Sequence, residues 1–275
     1  MTRSILITGC SSGIGYDAAH TLAQRGWRVF ATCRQEKDCA RLRDEGLIAP
    51  RLDHTDPESI AAALAEATAD GPLDAIFANG AFAMPGALED LPTGGLREIF
   101  ETNLFGVHEL VRQTLPHFRA NGGGRIVLCS SVLGYFPYKW RGAYTSTKFA
   151  LEGYGDVLRL EMADAGIHVS LIEPGPITSR IRENAIPHFE RWFDWRASPR
   201  AAQYEGDLLP RLYDDTAPKD RFELPASAVT DVLIHAVESP RPRARYRVTR
   251  PAKIGYALKR VLTTRALDRL LRKLD

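Results

Sequence analysis

Cysteine is scarce in this chain. There are four in 275 residues, Cys10, Cys33, Cys39 and Cys129, and no two form a Cys-x-x-Cys. That argues against a disulfide scaffold or a paired-thiolate metal site, and predicts reduced, mostly buried thiols in a cytoplasmic protein. The seven histidines (His20, His54, His108, His117, His168, His188, His235) are scattered without metal-ligand spacing, so no metal is expected. No apolar run approaches the ~18–20 residues needed to span a bilayer. Met-Thr-Arg-Ser leads straight into a strand pattern, which predicts no secretory leader. Repeats, low-complexity tracts and interdomain linkers are missing as well. A strong excess of one charge is also missing, since the formal net charge is +2, and nothing in the body of the chain points to nucleic acid.

The charge is nevertheless uneven. Residues 241–275 hold twelve Lys and Arg against Asp268 and Asp275. Within this tail, Leu258, Val261, Leu262, Leu267, Leu270, Leu271 and Leu274 recur among basic residues, so 251–275 reads as a basic amphipathic helical extension. Such a helix can lie on an anionic membrane. The preferred reading is a helix packed on the body or on a neighbouring subunit, because the pattern is interrupted.

What is present is ordinary for a single large domain: 44% apolar and 25% charged residues. β-rich runs at Ser4–Thr8, Arg28–Thr32, Ala49–Leu52, Leu73–Ala78, Arg125–Cys129 and His168–Ile172 alternate with helical patterns at Ile14–Arg25, Glu36–Glu45, Pro57–Ala69, Leu96–Ala120 and Tyr144–Ala165. This predicts an α/β doubly wound parallel sheet over residues 1–250, with ligands at the carboxyl ends of the strands. The alternation breaks after Pro174. Residues 176–224 form an irregular insertion rich in Pro, Arg and aromatics (Phe189, Trp192, Phe193, Trp195, Tyr204), which reads equally as a substrate lid or as a helical subdomain packed on the body. A helix near Ala226–Glu238 and a short strand near Tyr246–Thr249 follow.

The first strand runs into Thr8-Gly9-Cys10-Ser11-Ser12-Gly13-Ile14-Gly15, which opens a helix. Gly9 permits a tight turn, Gly13 lets backbone approach a pyrophosphate, and Gly15 permits close helix–strand packing. The N–H groups of Ser11, Ser12, Gly13 and Ile14, with the helix dipole, suit phosphates. Gly9–Gly13 also fits the Gly-x-Ser-x-Gly nucleophile elbow, but an elbow needs several strands before it and here only one precedes. An NAD-binding protein carries a carboxylate at the end of the second strand, about 20 residues past the glycines. This chain has Ala31-Thr32-Cys33-Arg34 instead, and the Arg34 guanidinium suits a 2′-phosphate. NADP is therefore expected over NAD, although Glu36 and Asp38 lie nearby and Arg34 could be a solvated surface residue. Asp53 suits an adenine contact or a simple turn.

Tyr144-x-x-x-Lys148 at a helix start places phenol and ammonium on one face. A nearby cation is expected to lower the tyrosine pKa from ~10, making Tyr144 a proton donor or acceptor for a carbonyl or alcohol. Ser131, upstream at a strand end, can hold the substrate oxygen. Asn103, an amide in an apolar helix face, supports either a water relay to Lys148 or a capping or packing role.

Together, Thr8-Gly9-x-x-x-Gly13-x-Gly15, Asn103, Ser131, Tyr144-x-x-x-Lys148 and Pro174-Gly175 resemble the signature of the short-chain dehydrogenases/reductases, across roughly residues 3–180. The resemblance implies a Rossmann fold, with Tyr144 as general acid/base and Lys148 tuning it. Tyr144 and Lys148 would also meet the nicotinamide ribose. Ser131 would orient the carbonyl and Asn103 would hold a relay water. Pro174, Gly175 and Ile177 would border the nicotinamide, and Thr178 or Ser179 would approach its carboxamide. One departure stands out. The family's Asn-Asn-Ala-Gly is here Ala78-Asn79-Gly80-Ala81, which keeps Asn79 and predicts altered local packing around the adenine side. The pattern looks most like the branch of 17β-hydroxysteroid and retinol dehydrogenases and bacterial aldehyde reductases. That implies a bulky apolar carbonyl or alcohol substrate and a homodimer or homotetramer. The rival is a non-catalytic NADP(H)-sensing regulator, which has no need of the complete Asn103–Ser131–Tyr144–Lys148 set. Dialysis against EDTA is expected to leave activity unchanged; loss restored by a divalent ion would contradict the metal-free reading.

Overall fold

The computed structural model describes residues 2–214 and 222–273. Residues 215–221 of the insertion, and Leu274 and Asp275 of the tail, lie outside the described residues. The chain runs β1 (Ser4–Thr8), α1 (Gly13–Gln24), β2 (Arg28–Thr32), α2 (Glu36–Asp44), α3 (Pro57–Thr68), β3 (Ala75–Ala78), α4 (Thr93–Phe100), α5 (Gly106–Ala120), β4 (Gly124–Cys129), α6 (Gly142–Glu161) and β5 (Ile167–Glu173). The insertion folds as α7 (Ile181–Trp192), α8 (Ala201–Gln203) and α9 (Leu209–Tyr213); α10 (Ser227–Glu238), β6 (Arg245–Arg247), α11 (Arg250–Val261) and α12 (Thr264–Leu271) complete the chain. The strands form one parallel sheet in the order β2-β1-β3-β4-β5-β6. The connection reverses direction between β1 and β3, which opens a crevice at their carboxyl ends.

Two apolar layers hold the sheet, and the strand period sorts residues between them. Ile5, Ile7, Val29, Ala31, Ala75, Phe77 and Val127 pack on the layer with α1 and α10. Their neighbours Leu6, Phe30, Ile76, Ile126 and Leu128 pack on the layer with α3, α5 and α6. Both faces are covered, so the strands read as continuous apolar runs.

Three expectations are corrected. Ala49–Leu52 is not a strand: it touches β2 only at the bridges Phe30–Ile48 and Cys33–Arg51. Pro50 between them has no N–H to continue a ladder. The long helix is not continuous. It begins at Thr93 and is interrupted by a π-helical turn, Glu101–Phe105, before α5. Gly94 and Gly95 sit inside α4 because the Trp192 indole lies on them; a Cβ at either would come within 3.0 Å of that ring. The tail is two helices broken at Leu262 and Thr263, not one. It packs on the body: Tyr135 Oη donates to the Ala252 carbonyl at 2.7 Å, and the Tyr135 and Tyr256 rings meet edge to face. No helix among the described residues is long and apolar enough to cross a membrane.

One contact at the carboxyl edge of the sheet is made without side chains. A Cβ at Gly15 would lie 2.3 Å from the Gly9 carbonyl oxygen. Because backbone cannot yield there, Gly15→Ala is expected to lower the unfolding free energy by about 1–3 kcal/mol. Urea denaturation checks this, and an unchanged midpoint would show that the contact relaxes freely.

Candidate active site

The crevice begins with the turn after β1. Gly9 and Gly13 have φ of 73° and 61°, the left-handed region that favours glycine. Thr8 and Asn79 pin the turn to the end of β3. Asn79 Nδ2 donates to the carbonyls of Thr8 at 3.0 Å and Gly9 at 3.3 Å, while the Asn79 and Gly80 N–H groups donate to Thr8 Oγ1 at 3.0 and 2.9 Å. Arg41 Nη2 donates to the Ser11 carbonyl at 2.7 Å. Ser12 caps α1 with no side-chain bond, and the first turn carries no acid. Its N–H groups and positive dipole end are left for an anion. Ser179 stands across this turn, its Cβ 3.2 Å from where a Gly13 Cβ would be. Thr178 points elsewhere, its hydroxyl donating to Glu223 at 2.6 Å. Ile177 bridges Leu224, and the Pro174 carbonyl accepts from Val132 N at 2.7 Å, which draws Pro174 and Gly175 beside Ser131.

Arg34 is exposed just beyond β2 and forms no hydrogen bond or ion pair with a described residue. Glu36 is taken up by Arg43. Asp53 Oδ1 accepts from Thr55 N at 3.0 Å and Oγ1 at 2.9 Å, closing a turn after the segment that neighbours β2.

Tyr144, in the first turn of α6, is buried, and Ser131 is close enough to its phenol to act on its titration. Ser131 Oγ accepts from Leu133 N at 3.1 Å. Lys148, one turn on, is buried and donates from Nζ to the Cys129 carbonyl at 2.7 Å. Its Nζ lies 5.4 Å from the Tyr144 ring centroid. The expected lowering of the tyrosine pKa is not what this arrangement produces. Burial pushes the phenol up, the buried Cys129 thiol adds to the rise, and Ser131 opposes it. Burial lowers the Lys148 ammonium, opposed by Cys129 and Glu152. Loss of water prevails at the phenol, while the ammonium over its ring is anchored to the Cys129 carbonyl. A phenol held protonated is suited to give its proton to a carbonyl oxygen.

Asn103, in the π turn, is fully buried. Its Oδ1 accepts from Phe82 N at 3.1 Å, and its Nδ2 donates to Phe82 O at 2.9 Å and to Thr147 Oγ1 at 3.3 Å. Thr147 Oγ1 donates to the Tyr144 carbonyl at 2.8 Å. The side chain thus braces the turn after β3 against α6.

The insertion caps the site. Phe189, Phe193, Tyr204 and Leu208 are buried with Phe82, Trp140 and the Tyr144 ring in a third apolar cluster. The insertion is therefore a packed helical cap that borders Tyr144. Glu98 latches it to α4, accepting from His188 Nδ1 at 2.8 Å and Trp192 Nε1 at 2.7 Å. The His188 ring stacks on Phe82 at 3.9 Å. Glu98, His54 and Glu173 escaped sequence reading because their partners lie far away in the chain. Glu173, fully buried at the end of β5, faces Arg245 and Arg247, each at 2.9 Å. Among the described residues no group of three His, Cys, Asp or Glu could hold a metal ion.

Comparison with known proteins agrees with this geometry. The family model described as short chain dehydrogenase matches residues 3–188. The chain is 38% identical over 273 residues to the uncharacterized oxidoreductase YbbO of Escherichia coli K12, covering 98% of this chain and 94% of that protein. It is 33% identical over 281 residues to 17-beta-hydroxysteroid dehydrogenase type 6 of Rattus norvegicus, covering 98% and 87%. Among solved structures, a short-chain dehydrogenase from Streptomyces avermitilis superposes with a TM-score of 0.73 at 26% identity, over 100% of this chain and 95% of that one.

Asn103→Ala strands the Phe82 N–H and carbonyl in the core, and is expected to cost about 1–3 kcal/mol for each group left unpaired, read by urea unfolding. A second expectation concerns pH. Burial, then Glu152, push the Glu173 carboxyl up to about 7, against the pull of Arg247 and Arg245. Between its unfolded value and about 7 the folded state holds one proton more than the unfolded state. Stability from this site is therefore full below the unfolded value and lost as pH rises through about 7. Glu173→Gln should flatten that fall in unfolding curves taken across the window; an unaltered slope would assign the proton elsewhere.

Proposed function

The chain belongs to the short-chain dehydrogenase family of oxidoreductases, and on that footing we propose that it transfers hydride between NADP(H) and the carbonyl or alcohol of a bulky apolar substrate. The observation that carries the reading is the set made by half-buried Ser131 after β4 and by buried Tyr144 and Lys148 on α6. The uncapped, acid-free first turn of α1 supports pyrophosphate binding, and the backbone from Pro174 to Ile177 would border the nicotinamide. NADP is supported by Arg34, exposed and without a hydrogen bond or ion pair among the described residues, and by the diversion of Glu36 to Arg43. The bound cofactor would supply the hydride. Tyr144 donates or takes the proton at the substrate oxygen, Ser131 orients that oxygen, and Lys148 holds its ammonium beneath the phenol.

The apolar cap around Tyr144 supports an apolar substrate, and so does the similarity to a protein named for hydroxysteroid oxidation. We read the protein as cytoplasmic. A homodimer or homotetramer built on the long helices is supported by apolar side chains that α6 leaves in solvent: Phe149 at 40%, Val157 at 55% and Leu160 at 67% exposure.

Absorbance at the NADPH band, against long and short aldehydes, retinal and steroid ketones, tests the whole reading. Oxidation of NADPH in preference to NADH by a long apolar carbonyl is expected. Tight NADPH binding without turnover of any of them would count against it. Tyr144→Phe should lower kcat by about 10²–10⁴-fold with the NADPH Kd unchanged, and retained turnover would place the acid elsewhere. Arg34→Asp should weaken NADPH by roughly 10–100-fold through loss of a charge-assisted bond and shift preference towards NADH. Unchanged preference would remove Arg34 from the 2′-phosphate site.

A further inference from the structure

The tail has no part in the site as described so far, yet its root lies against it. β6 pairs with β5 in the register Glu173–Arg247, and Val248 N donates to the Glu173 carbonyl at 3.2 Å. Thr249 then opens α11. It is 5% exposed, with φ 80° and ψ 152°. Glycine enters that region freely, whereas a β-branched residue is strained there. Thr249 Oγ1 accepts from Ala252 N at 3.3 Å, but capping alone does not demand this backbone, because cap residues ordinarily lie in the β region.

The strained entry brings the hydroxyl to Gly175. A Cβ at Gly175 would lie 2.2 Å from Thr249 Oγ1 and 3.4 Å from Thr249 Cβ. The φ of Gly175 is not left-handed, so its own backbone does not call for glycine. The Thr249 hydroxyl is what leaves no room for a side chain. Thr249 is held in turn by the first turns of α11. The Ala252 carbonyl accepts from Tyr135 Oη at 2.7 Å, and a Cβ at Gly255 would lie 3.4 Å from Phe136 and 3.7 Å from Val132. Arg247 lies over the Tyr256 ring at 3.3 Å and pairs with buried Glu173 at 2.9 Å. Val132 N reaches the Pro174 carbonyl at 2.7 Å. The root of the tail therefore touches both backbone segments that meet beside Tyr144: the one after Ser131, and Pro174–Gly175.

We propose that Thr249 is a positioning residue for the nicotinamide half of the cofactor: its hydroxyl, pressed on Gly175 by the strained entry to α11, fixes how far the Pro174–Gly175 backbone stands from Ser131 and Tyr144. The inference rests on the oxidoreductase reading. Thr249 acts through Gly175 and gives the tail a role in the site. The effect is geometric, since a misplacement of about 1 Å at a reacting centre can cost about 10²-fold in rate.

Equilibrium binding separates the two halves of the cofactor without turnover. The probes are NADPH and 2′-phospho-ADP-ribose, which lacks the nicotinamide. Thr249→Gly accepts the backbone conformation and loses the hydroxyl. It is expected to keep its Tm within a few degrees of wild type. NADPH should weaken about three- to tenfold, 2′-phospho-ADP-ribose should stay within about twofold, and kcat for carbonyl reduction should fall about tenfold. Thr249→Ser keeps the hydroxyl and should match wild type in all of these. Gly175→Ala should weaken NADPH in the same selective way. Adding Thr249→Gly to it should recover part of that loss, because the new Cβ enters the space the hydroxyl leaves. A helix cap alone would lower Tm and spare the ratio of the two affinities. An unchanged ratio in Thr249→Gly, equal weakening of both probes, or additive losses in the double variant would overturn the proposal. If the wild type binds neither probe, the oxidoreductase reading falls and this inference with it. A wild type that binds both, with Thr249→Gly unmoved, removes the inference alone.

Discussion

The carboxyl edge of the sheet is organised by the closeness with which the first turn of α1 sits on the end of β1. Gly9, Gly15 and Gly80 let three backbone segments meet with no side chain between them. Thr8 and Asn79 supply the polar pins. Because these contacts leave no room for adjustment, the N–H groups of α1 project at a set height above the sheet. The other site segments are referred to that height: Ser179 across Gly13, Pro174 beside Val132, and Ser131 at the end of β4. A Cβ at any of the three glycines would displace the first turn of α1 before it reached Ser131 or Tyr144.

Burial is the second organising influence, and it acts on the chemistry directly. Tyr144 and Lys148 lie inside the protein, and loss of water pushes both towards their neutral forms. A hydrogen bond to the Cys129 carbonyl holds the Lys148 ammonium in place. The Tyr144 ring is also part of the apolar cluster made by α7 and the residues after it. The Tyr144 side chain thus joins the cap to Ser131 and Lys148. Glu98, which accepts from both His188 and Trp192, ties the cap to α4, the helix that leads into the π turn of Asn103.

Local pattern made much of this legible. The glycine spacing, the alternation of strand and helix, and Tyr144-x-x-x-Lys148 each depend on residues close together in the chain, where backbone geometry dictates neighbours. Readings that needed distant partners went differently. Ala49–Leu52 has strand composition, yet Pro50 interrupts its pairing. The tail has helical spacing, yet breaks at Leu262 and Thr263. Tyr144 next to a lysine suggested a lowered pKa, whereas the depth of burial reverses the direction. Gly80 and His54 lie far apart in sequence, and the exchange of glycine and alanine after β3 acquires a reason only when the imidazole is seen beneath it, with Cε1 3.2 Å from where a Gly80 Cβ would be.

By itself the sequence determined the doubly wound sheet, the family, and the identity of the residues at its carboxyl edge, because those follow from short-range periodicity and from glycines that no other residue can replace. Tertiary structure alone decided what each polar group does there. It turned Asn103 to Phe82, gave Glu36 to Arg43, drew Thr178 to Glu223 and set His54 against Thr102. Hydrogen-bond partners and the removal of water depend on which segments meet in space, and no local spacing carries that information.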